Sequence, residues 1–114
     1  MTTAPLAPLL ERLPAELGIS RAELATALDA SERSVIRWSK GEHVPQYESR
    51  ARLDELTALA DRLQVSFPDT VAVAAWLRAP NGSFGGKPPI DALLRGHFNT
   101  IETALDARDA GISA

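Results

Sequence analysis

The segment from Ile19 to Pro45 constrains the fold more than any other part of the chain. Ser20 is followed three residues later by Glu23, which is the capping-box pattern that opens a helix. Asp29 and Ser31 then interrupt the apolar periodicity, because Asp tolerates a left-handed turn and Ser is a good N-cap for a second helix. The sequence therefore predicts two short helices joined by a tight turn, an arrangement typical of a helix-turn-helix.

The second of these helices is basic and carries residue types that suit DNA recognition. It covers Glu32 to Lys40, and Gly41 is placed to end it. If its N-terminal end enters a major groove, Arg33 or Arg37 is able to pair bidentately with a guanine. Glu32 either accepts from a cytosine or serves only as a favourable acid at the helix N-terminus. The predicted DNA-binding residues are Ser31, Glu32, Arg33, Ser34, Arg37 and Lys40, of which Ser31 and Lys40 are expected to contact phosphates.

Charge and packing limit how this basic helix works. The formal charge of −3 argues against broad, nonspecific nucleic-acid binding, so any DNA contact must come from a local patch. Arg21, Arg50 and Arg52 either extend that patch or pair with nearby acids. A short helix must also bury one face, and the residues expected to do so are Val35, Ile36 and Trp38.

A second informative segment runs from Trp76 to Leu94, through a loop rich in Pro and Gly. It joins the end of an apolar helix to the start of another helix. Aromatic and basic side chains lie in and beside this irregular stretch, where exposed anchors framed by rigid turns suit a partner-binding surface. These side chains are Trp76, Arg78, Phe84, Lys87 and Arg95.

The same loop contains a sequence that resembles a phosphate-binding loop, at Gly85 to Lys87. Asn81 stands where that motif needs its first Gly, and Pro88 stands where Ser or Thr would hold magnesium. His43 and His97 have no partners at metal-ligand spacing, and the chain contains no cysteine. We therefore expect no enzyme activity, no metal and no cofactor.

The remaining periodicities are helical, so the expected fold class is all-α. A break at 65–69 divides the chain into an expected helix-turn-helix domain, residues 1–64, and a partner-binding domain, residues 65–114. The stripe of Leu53, Leu56, Ala60 and Leu63 is either the inner face of a monomer core or a dimer seam. The expected further helices are Leu6–Leu13, with Pro14 either kinking it or starting a new turn, Tyr47–Leu63, Thr70–Leu77, Ile90–Leu94 and Phe98–Arg108.

Length and composition agree with a small helical protein. At 114 residues the chain holds one compact domain or two very small ones that share a core. The sequence shows no signal peptide and no apolar run long enough to span a bilayer. The absence of cysteine is compatible with a reducing cytosol. We expect a cytoplasmic protein that does not bind a membrane.

Both segments resemble the Xre/MbcA/ParS antitoxin family. The first matches the Xre/Cro-type helix-turn-helix pattern, with Asp29 in place of the turn Gly and Ser34 in place of Thr. Trp76 to Leu94 is similar to the C-terminal signature W-L-x-x-P-n-x-x-L-g-G-x-x-P-x-D-L-L, with Phe84 where Leu is usual. The positions of the first pattern that stand in register are Ser20, Glu23, Leu24, Ala25, Leu28, Ser31, Val35, Arg37, Trp38, Gly41 and Pro45.

This resemblance implies a function and a partner. In this family the antitoxin is encoded beside a RES-domain toxin that degrades or modifies NAD, and it binds and inactivates that toxin. The resemblance implies that this chain occludes the toxin active site and represses its own operon by binding operator DNA, as a homodimer or as a hetero-oligomer with the toxin. The alternative is a stand-alone transcriptional regulator whose C-terminal half only dimerises.

The resemblance also implies which residues contact the toxin. Trp76 is as well suited to the core as to a contact. The C-terminal tail, which starts near Asp109, either inserts into the toxin as an extended segment or is an end without a role. The implied toxin contacts are Arg78, Asn81, Phe84, Lys87, Arg95, Gly111, Ile112, Ser113 and Ala114.

Overall fold

The computed structural model describes residues 6–111, and this part of the chain is entirely helical apart from turns. Because no strand occurs between residues 6 and 111, the predicted all-α fold class is confirmed. The elements in chain order are α1 (Ala7–Leu17), α2 (Arg21–Ala27), α3 (Glu32–Ser39), α4 (Tyr47–Ser66), α5 (Thr70–Arg78), a short 3₁₀-helix (Gly82–Phe84), α6 (Pro89–Leu94) and α7 (Phe98–Asp109).

The caps predicted for the first turns of α2 and α3 are both present. The Ser20 hydroxyl accepts from the Glu23 N–H at 3.0 Å, and the Glu23 carboxylate accepts from the Ser20 N–H at 2.9 Å. Ser31 caps α3 in the same way, accepting from the Ser34 N–H at 3.0 Å. In the turn between the helices, Asp29 has a φ of 55°, the left-handed conformation expected there.

α1 and α4 extend beyond their predicted C-terminal ends by more than one residue. α1 continues through Pro14 to Leu17, although a Pro inside a helix removes one hydrogen bond. Leu13 and Leu17 are both fully buried, so side-chain packing holds the turn on each side of the Pro. α4 ends at Ser66 instead of Leu63, and the buried ring of Phe67 follows it directly.

The leucine stripe of α4 is the inner face of a single chain. Leu53, Leu56, Ala60 and Leu63 are each 0% exposed. They belong to one hydrophobic cluster that draws side chains from α1 through α7. The monomer-core interpretation of this stripe is therefore correct, and the dimer-seam interpretation is not.

Gly18 marks a close approach between α1 and α5. It ends α1 with a φ of +66°, and a Cβ atom added there would lie 2.6 Å from the Cβ of Ala74 in α5. The backbone of α1 therefore meets α5 with no room for a side chain. This crossing makes the N-terminal and C-terminal helices share one core.

Candidate functional site

Three cationic side chains form an exposed stripe along α3, which we call the α3 stripe. Arg33, Arg37 and Lys40 are spaced four and three residues apart, so they lie on one face of the helix. On the opposite face Val35 and Trp38 are 2% and 7% exposed. The helix buries its apolar side in the core and presents its cations to solvent, as the sequence predicts.

The other residues predicted to bind DNA lie at the start of α3. Ser31 and Ser34 are engaged with each other, since the Ser31 hydroxyl also donates to the Ser34 hydroxyl at 3.0 Å. Glu32 is exposed in the first turn of the helix, where the helix dipole favours an acid. Ile36, expected in the core, is only half-buried.

Of the additional arginines near this surface, two have roles inside the molecule. The Arg50 Nε lies 3.3 Å from the Asp54 Oδ1, one turn along α4. The Arg52 guanidinium donates to the carbonyl oxygen of Ala27 at 3.3 Å and is half-buried. Arg21 is exposed at the start of α2. Arg50 therefore pairs with a nearby acid, as one of the two alternatives for these arginines predicts. Arg52 instead connects α4 to the end of α2.

Asn81 organises the loop between α5 and α6. It is only 8% exposed, and its side-chain oxygen accepts from the Ser83 N–H at 2.9 Å, which caps the 3₁₀-helix. Its carbonyl accepts from the N–H groups of Phe84 and Gly86, both at 3.0 Å, and its own N–H donates to the Lys87 carbonyl at 3.2 Å. The side chain expected to contact a partner therefore holds the loop in shape from inside.

A series of three aromatic rings supports the same loop. The ring centroids of Phe67 and Trp76 are 5.6 Å apart, and those of Trp76 and Phe84 are 6.3 Å apart in an edge-to-face arrangement. Trp76 and Phe84 are both partly buried against the core. Trp76 therefore packs between the core and the loop, and it fixes the position of Phe84.

Three of the predicted partner contacts meet at one place. Phe84, Lys87 and Arg95 line a shallow pocket of about 140 Å³ between the loop, α6 and the start of α7, which we call the basic pocket. Asp91 and His97 line it as well. Lys87 and Arg95 are exposed, and neither has a carboxylate oxygen within 4.0 Å among residues 6–111.

Arg78 is engaged in a different place. Its guanidinium donates to the Gly18 carbonyl at 3.0 Å and to the Glu23 Oε1 at 2.9 Å. The hydrogen bond from Arg78, with a second from the Ser20 N–H, lowers the pKa of the Glu23 carboxyl below its ordinary value. A residue expected to contact a partner thus joins α5 to the capping box of α2. Nothing in the local sequence pattern signals this pair, because its members are 55 residues apart.

A second long-range network holds the end of α7 against α4. Arg62 lies 2.9 Å from Asp106 and 3.2 Å from Asp109, and the Ser66 hydroxyl donates to Asp109 at 2.8 Å. The Ser66 and Arg62 hydrogen bonds lower the pKa of Asp109, while Asp106 and Asp109 raise the pKa of Arg62. The C-terminal helix is therefore fixed up to its last turn, a feature that local sequence patterns do not reveal.

The predicted tail contacts begin just after this network. Gly111 is exposed and has a φ of 84°, so its backbone is in the left-handed conformation common just after a helix. Ile112, Ser113 and Ala114, which are also predicted contacts, lie outside the described residues.

Within residues 6–111, no group of three or more His, Cys, Asp or Glu side chains is arranged to hold a metal ion. The same part of the chain has no helix with the length and apolar character needed to cross a membrane.

In a comparison with protein families, the chain matches the antitoxin Xre/MbcA/ParS C-terminal toxin-binding domain. It covers residues 62–111, from the last turns of α4 to the end of α7. The basic pocket and the Asn81 loop lie inside this range.

Known proteins extend the likeness to most of the chain. The mycobacterial cidal antitoxin MbcA of Mycobacterium tuberculosis is 34% identical over 96 residues, covering 84% of each chain. A probable mycobacterial cidal antitoxin of the same species is 27% identical over 93 residues, covering 79% of this chain and 76% of the relative. Among solved structures, a chain of the crystal structure of the M. tuberculosis MbcT–MbcA toxin–antitoxin complex matches with a TM-score of 0.75 and 29% identity, over 98% of this chain and 100% of that chain.

Proposed function

This chain belongs to the Xre/MbcA/ParS family of antitoxins, and we propose that it inactivates a cognate RES-domain toxin by occluding the toxin active site. The observation that carries this proposal is the convergence of Phe84, Lys87 and Arg95 on the basic pocket. These residues are apart in the sequence, yet they form one surface within the range that matches the toxin-binding domain.

The rigidity of this surface supports a role in binding. Asn81 accepts a backbone hydrogen bond within the loop, and the ring of Trp76 packs against that of Phe84. A surface that internal contacts hold in one shape before binding loses little conformational entropy on association. We propose that the residues from Gly111 onward, which follow α7 in the sequence, enter the toxin cleft as an extended segment and block access of the substrate.

Co-expression with the toxin encoded beside this gene tests the proposal. We expect a tagged copy of this chain to retain the toxin through purification. The isolated toxin is expected to consume NAD, and an equimolar amount of this chain is expected to stop that reaction. A toxin that neither co-purifies with this chain nor loses activity in its presence would refute the proposal.

A second activity, operator binding through the α3 stripe, has its own support. Arg33 and Lys40 have no salt-bridge partner in the part of the chain that the structure describes, and Arg37 is only loosely paired, at 3.9 Å from Glu42. Unpaired cations on a convex helix suit a major groove and its flanking phosphates. We propose that residues 1–64 repress the operon while residues 65–114 bind the toxin.

Two binding measurements separate this dual role from the alternative of a stand-alone regulator. Mobility shifts on the promoter fragment upstream of the gene report DNA binding, with and without toxin. Binding to DNA without any binding to the toxin would favour the stand-alone regulator. In that case, sedimentation is expected to show a dimer that is lost when the C-terminal half is altered.

A further inference from the structure

The two cations of the basic pocket are not neutralised by a carboxylate within residues 6–111, a property that they share with Arg21, Arg33, Lys40 and Arg52. Six arginines of the described chain have a carboxylate oxygen within 4.0 Å, and they are Arg12, Arg37, Arg50, Arg62, Arg78 and Arg108. Lys87 and Arg95 have none, although the chain carries an excess of acidic residues. Asp91 lies in the same pocket but forms no salt bridge within that distance to either cation.

The size of the basic pocket indicates what it holds. Its volume of about 140 Å³ is well below the roughly 300–1,000 Å³ typical of sites for small molecules and cofactors. A single carboxylate side chain fits this volume. Phe84 contributes an aromatic ring to the lining, and the exposed Lys87 and Arg95 contribute two cations, which is the chemistry that recognises a carboxylate.

A second depression adjoins the basic pocket. Thr100 also lines this depression of about 300 Å³ along α7, which we call the α7 groove. The groove is lined by small, uncharged residues, namely Ser83, Thr100, Thr103, Ala104 and Ala107. From Thr100 to Ala107 the helix rises roughly 10 Å, about the length of three extended residues or two helical turns. This length suits a segment of protein better than a free anion.

We propose that the basic pocket and the α7 groove together receive a segment of the toxin, with an acidic side chain of that segment between Lys87 and Arg95. The small residues of the groove let the backbone of this segment approach α7 closely. The inference rests on the proposed function and adds the chemistry of the partner: an Asp or Glu next to uncharged residues, since the lining of the α7 groove is uncharged.

Charge reversal of the two cations tests the proposal. The variant K87E/R95E is compared with R33E/K40E, which reverses two unpaired cations on α3, far along the chain from the pocket. Binding to purified toxin is measured by calorimetry at low and high salt, and folding by circular dichroism. We expect K87E/R95E to weaken toxin binding at least tenfold at low salt and R33E/K40E to leave it unchanged. The milder K87Q/R95Q serves if the reversed variant does not fold.

Two further experiments test the α7 groove and the acidic residue of the toxin separately. Thr103→Trp fills the α7 groove without changing charge, and we expect it to weaken toxin binding to a similar degree at every salt concentration. Exposed Asp and Glu residues of the toxin are then changed singly to Lys, and one such change is expected to restore binding to K87E/R95E.

The results of these experiments distinguish a failure of the proposed function from a failure of the acidic-segment proposal. Absence of binding between the unaltered chain and the toxin would refute the proposed function itself. Tight binding of the unaltered chain together with equal binding by K87E/R95E would refute only the acidic-segment proposal. Loss of binding that no charge reversal on the toxin restores would also overturn it.

Discussion

The α3 stripe and the basic pocket hold the same kind of charge on surfaces of opposite shape. Each contains cations without a salt-bridge partner in residues 6–111, in a chain whose net charge is −3. The stripe is a convex edge of one helix, whereas the pocket is a concavity formed by a loop and two helices. A convex cationic helix fits a groove lined by phosphates, and a small concavity fits one carboxylate. Shape, more than charge, distinguishes the two proposed partners.

A shared framework joins these two regions. α1 crosses α5 at Gly18, and Arg78 at the end of α5 binds the Glu23 that caps α2. The helix that carries the α3 stripe follows α2 after one turn, and the loop that builds the basic pocket follows Arg78. Changes at the two surfaces are therefore expected to act separately on binding, while changes in the framework act on folding.

The largest effect is expected on DNA binding from changes in the α3 stripe. Replacing both Arg33 and Arg37 by Ala is expected to weaken operator binding by about 3 kcal/mol, which is roughly a hundredfold or more, because each bidentate base contact contributes about 1–3 kcal/mol. A mobility-shift titration at physiological salt measures this loss. Toxin neutralisation by the same variant is the control, and it should be unchanged. A double variant that still shifts the promoter fragment with full affinity would show that α3 does not read DNA.

The framework is tested by the next largest change, Gly18→Ala. A side chain at φ +66° costs about 1–2 kcal/mol, and the new Cβ would also meet Ala74, so we expect a loss of about 2 kcal/mol or slightly more in the free energy of unfolding. Gly41→Ala is a matched control, since Gly41 has a φ of +75° with no atom within 4 Å of the added Cβ. Urea denaturation compares the two. Equal losses would mean that the close crossing of α1 and α5 adds nothing beyond backbone strain.

Local patterns in the sequence predict the helices of both regions well. The Ser20–Glu23 capping box, the Ser31 cap and the left-handed Asp29 depend on residues within one turn of each other, and all appear as expected. The buried face of α4 follows from spacing in the same way, as Leu53 illustrates. Such features can be predicted because neighbouring residues alone decide them.

Local sequence patterns do not predict contacts between distant parts of the chain. Arg78 is a charged residue beside a turn, which made it a predicted partner contact, yet its side chain binds Glu23, 55 residues earlier. Asn81 looks like an exposed polar residue in a loop, but three backbone N–H groups around it need acceptors, and its oxygens supply them. Lys87 and Arg95 flank α6, and the pocket that both of them line also needs the loop and the start of α7, which lie apart from them in the sequence pattern.

At the basic pocket a single substitution is expected to have a smaller effect. Lys87→Glu reverses one exposed cation and is expected to weaken toxin binding about tenfold, near 1.4 kcal/mol, because one charge pair becomes a like-charge contact. Operator binding should stay the same, which is the reverse of the result expected for the α3 stripe. Calorimetric titration of toxin and mobility shifts on the same preparation measure both. Equal losses in the two assays would show that the surfaces are not separate.

The smallest effect concerns the Glu23–Arg78 link between the regions. Glu23→Gln keeps an oxygen for the Ser20 N–H but removes the charge that faces Arg78, so we expect the free energy of unfolding to fall by about 1 kcal/mol at neutral pH. The folded state lowers the pKa of Glu23 below the ordinary value of 4.5, so its ionised form stabilises the fold above that pH. This stabilisation is lost as the pH falls through the lowered pKa, and the difference between the parent chain and Glu23→Gln should shrink there.

Urea denaturation at a series of pH values between neutral and strongly acidic measures this difference. Glu55→Gln is the control, because Glu55 is exposed on α4 and forms no salt bridge within the described residues. A difference that stayed constant with pH would assign the loss to shape or hydrogen bonding instead of charge. A difference that shrinks in acid only for Glu23→Gln would mean that one ion pair connects the helices of the α3 stripe to the loop of the basic pocket. Binding by the variant at neutral pH should then be unchanged at both surfaces, because the substitution keeps the Arg78 side chain and changes a link between α2 and α5.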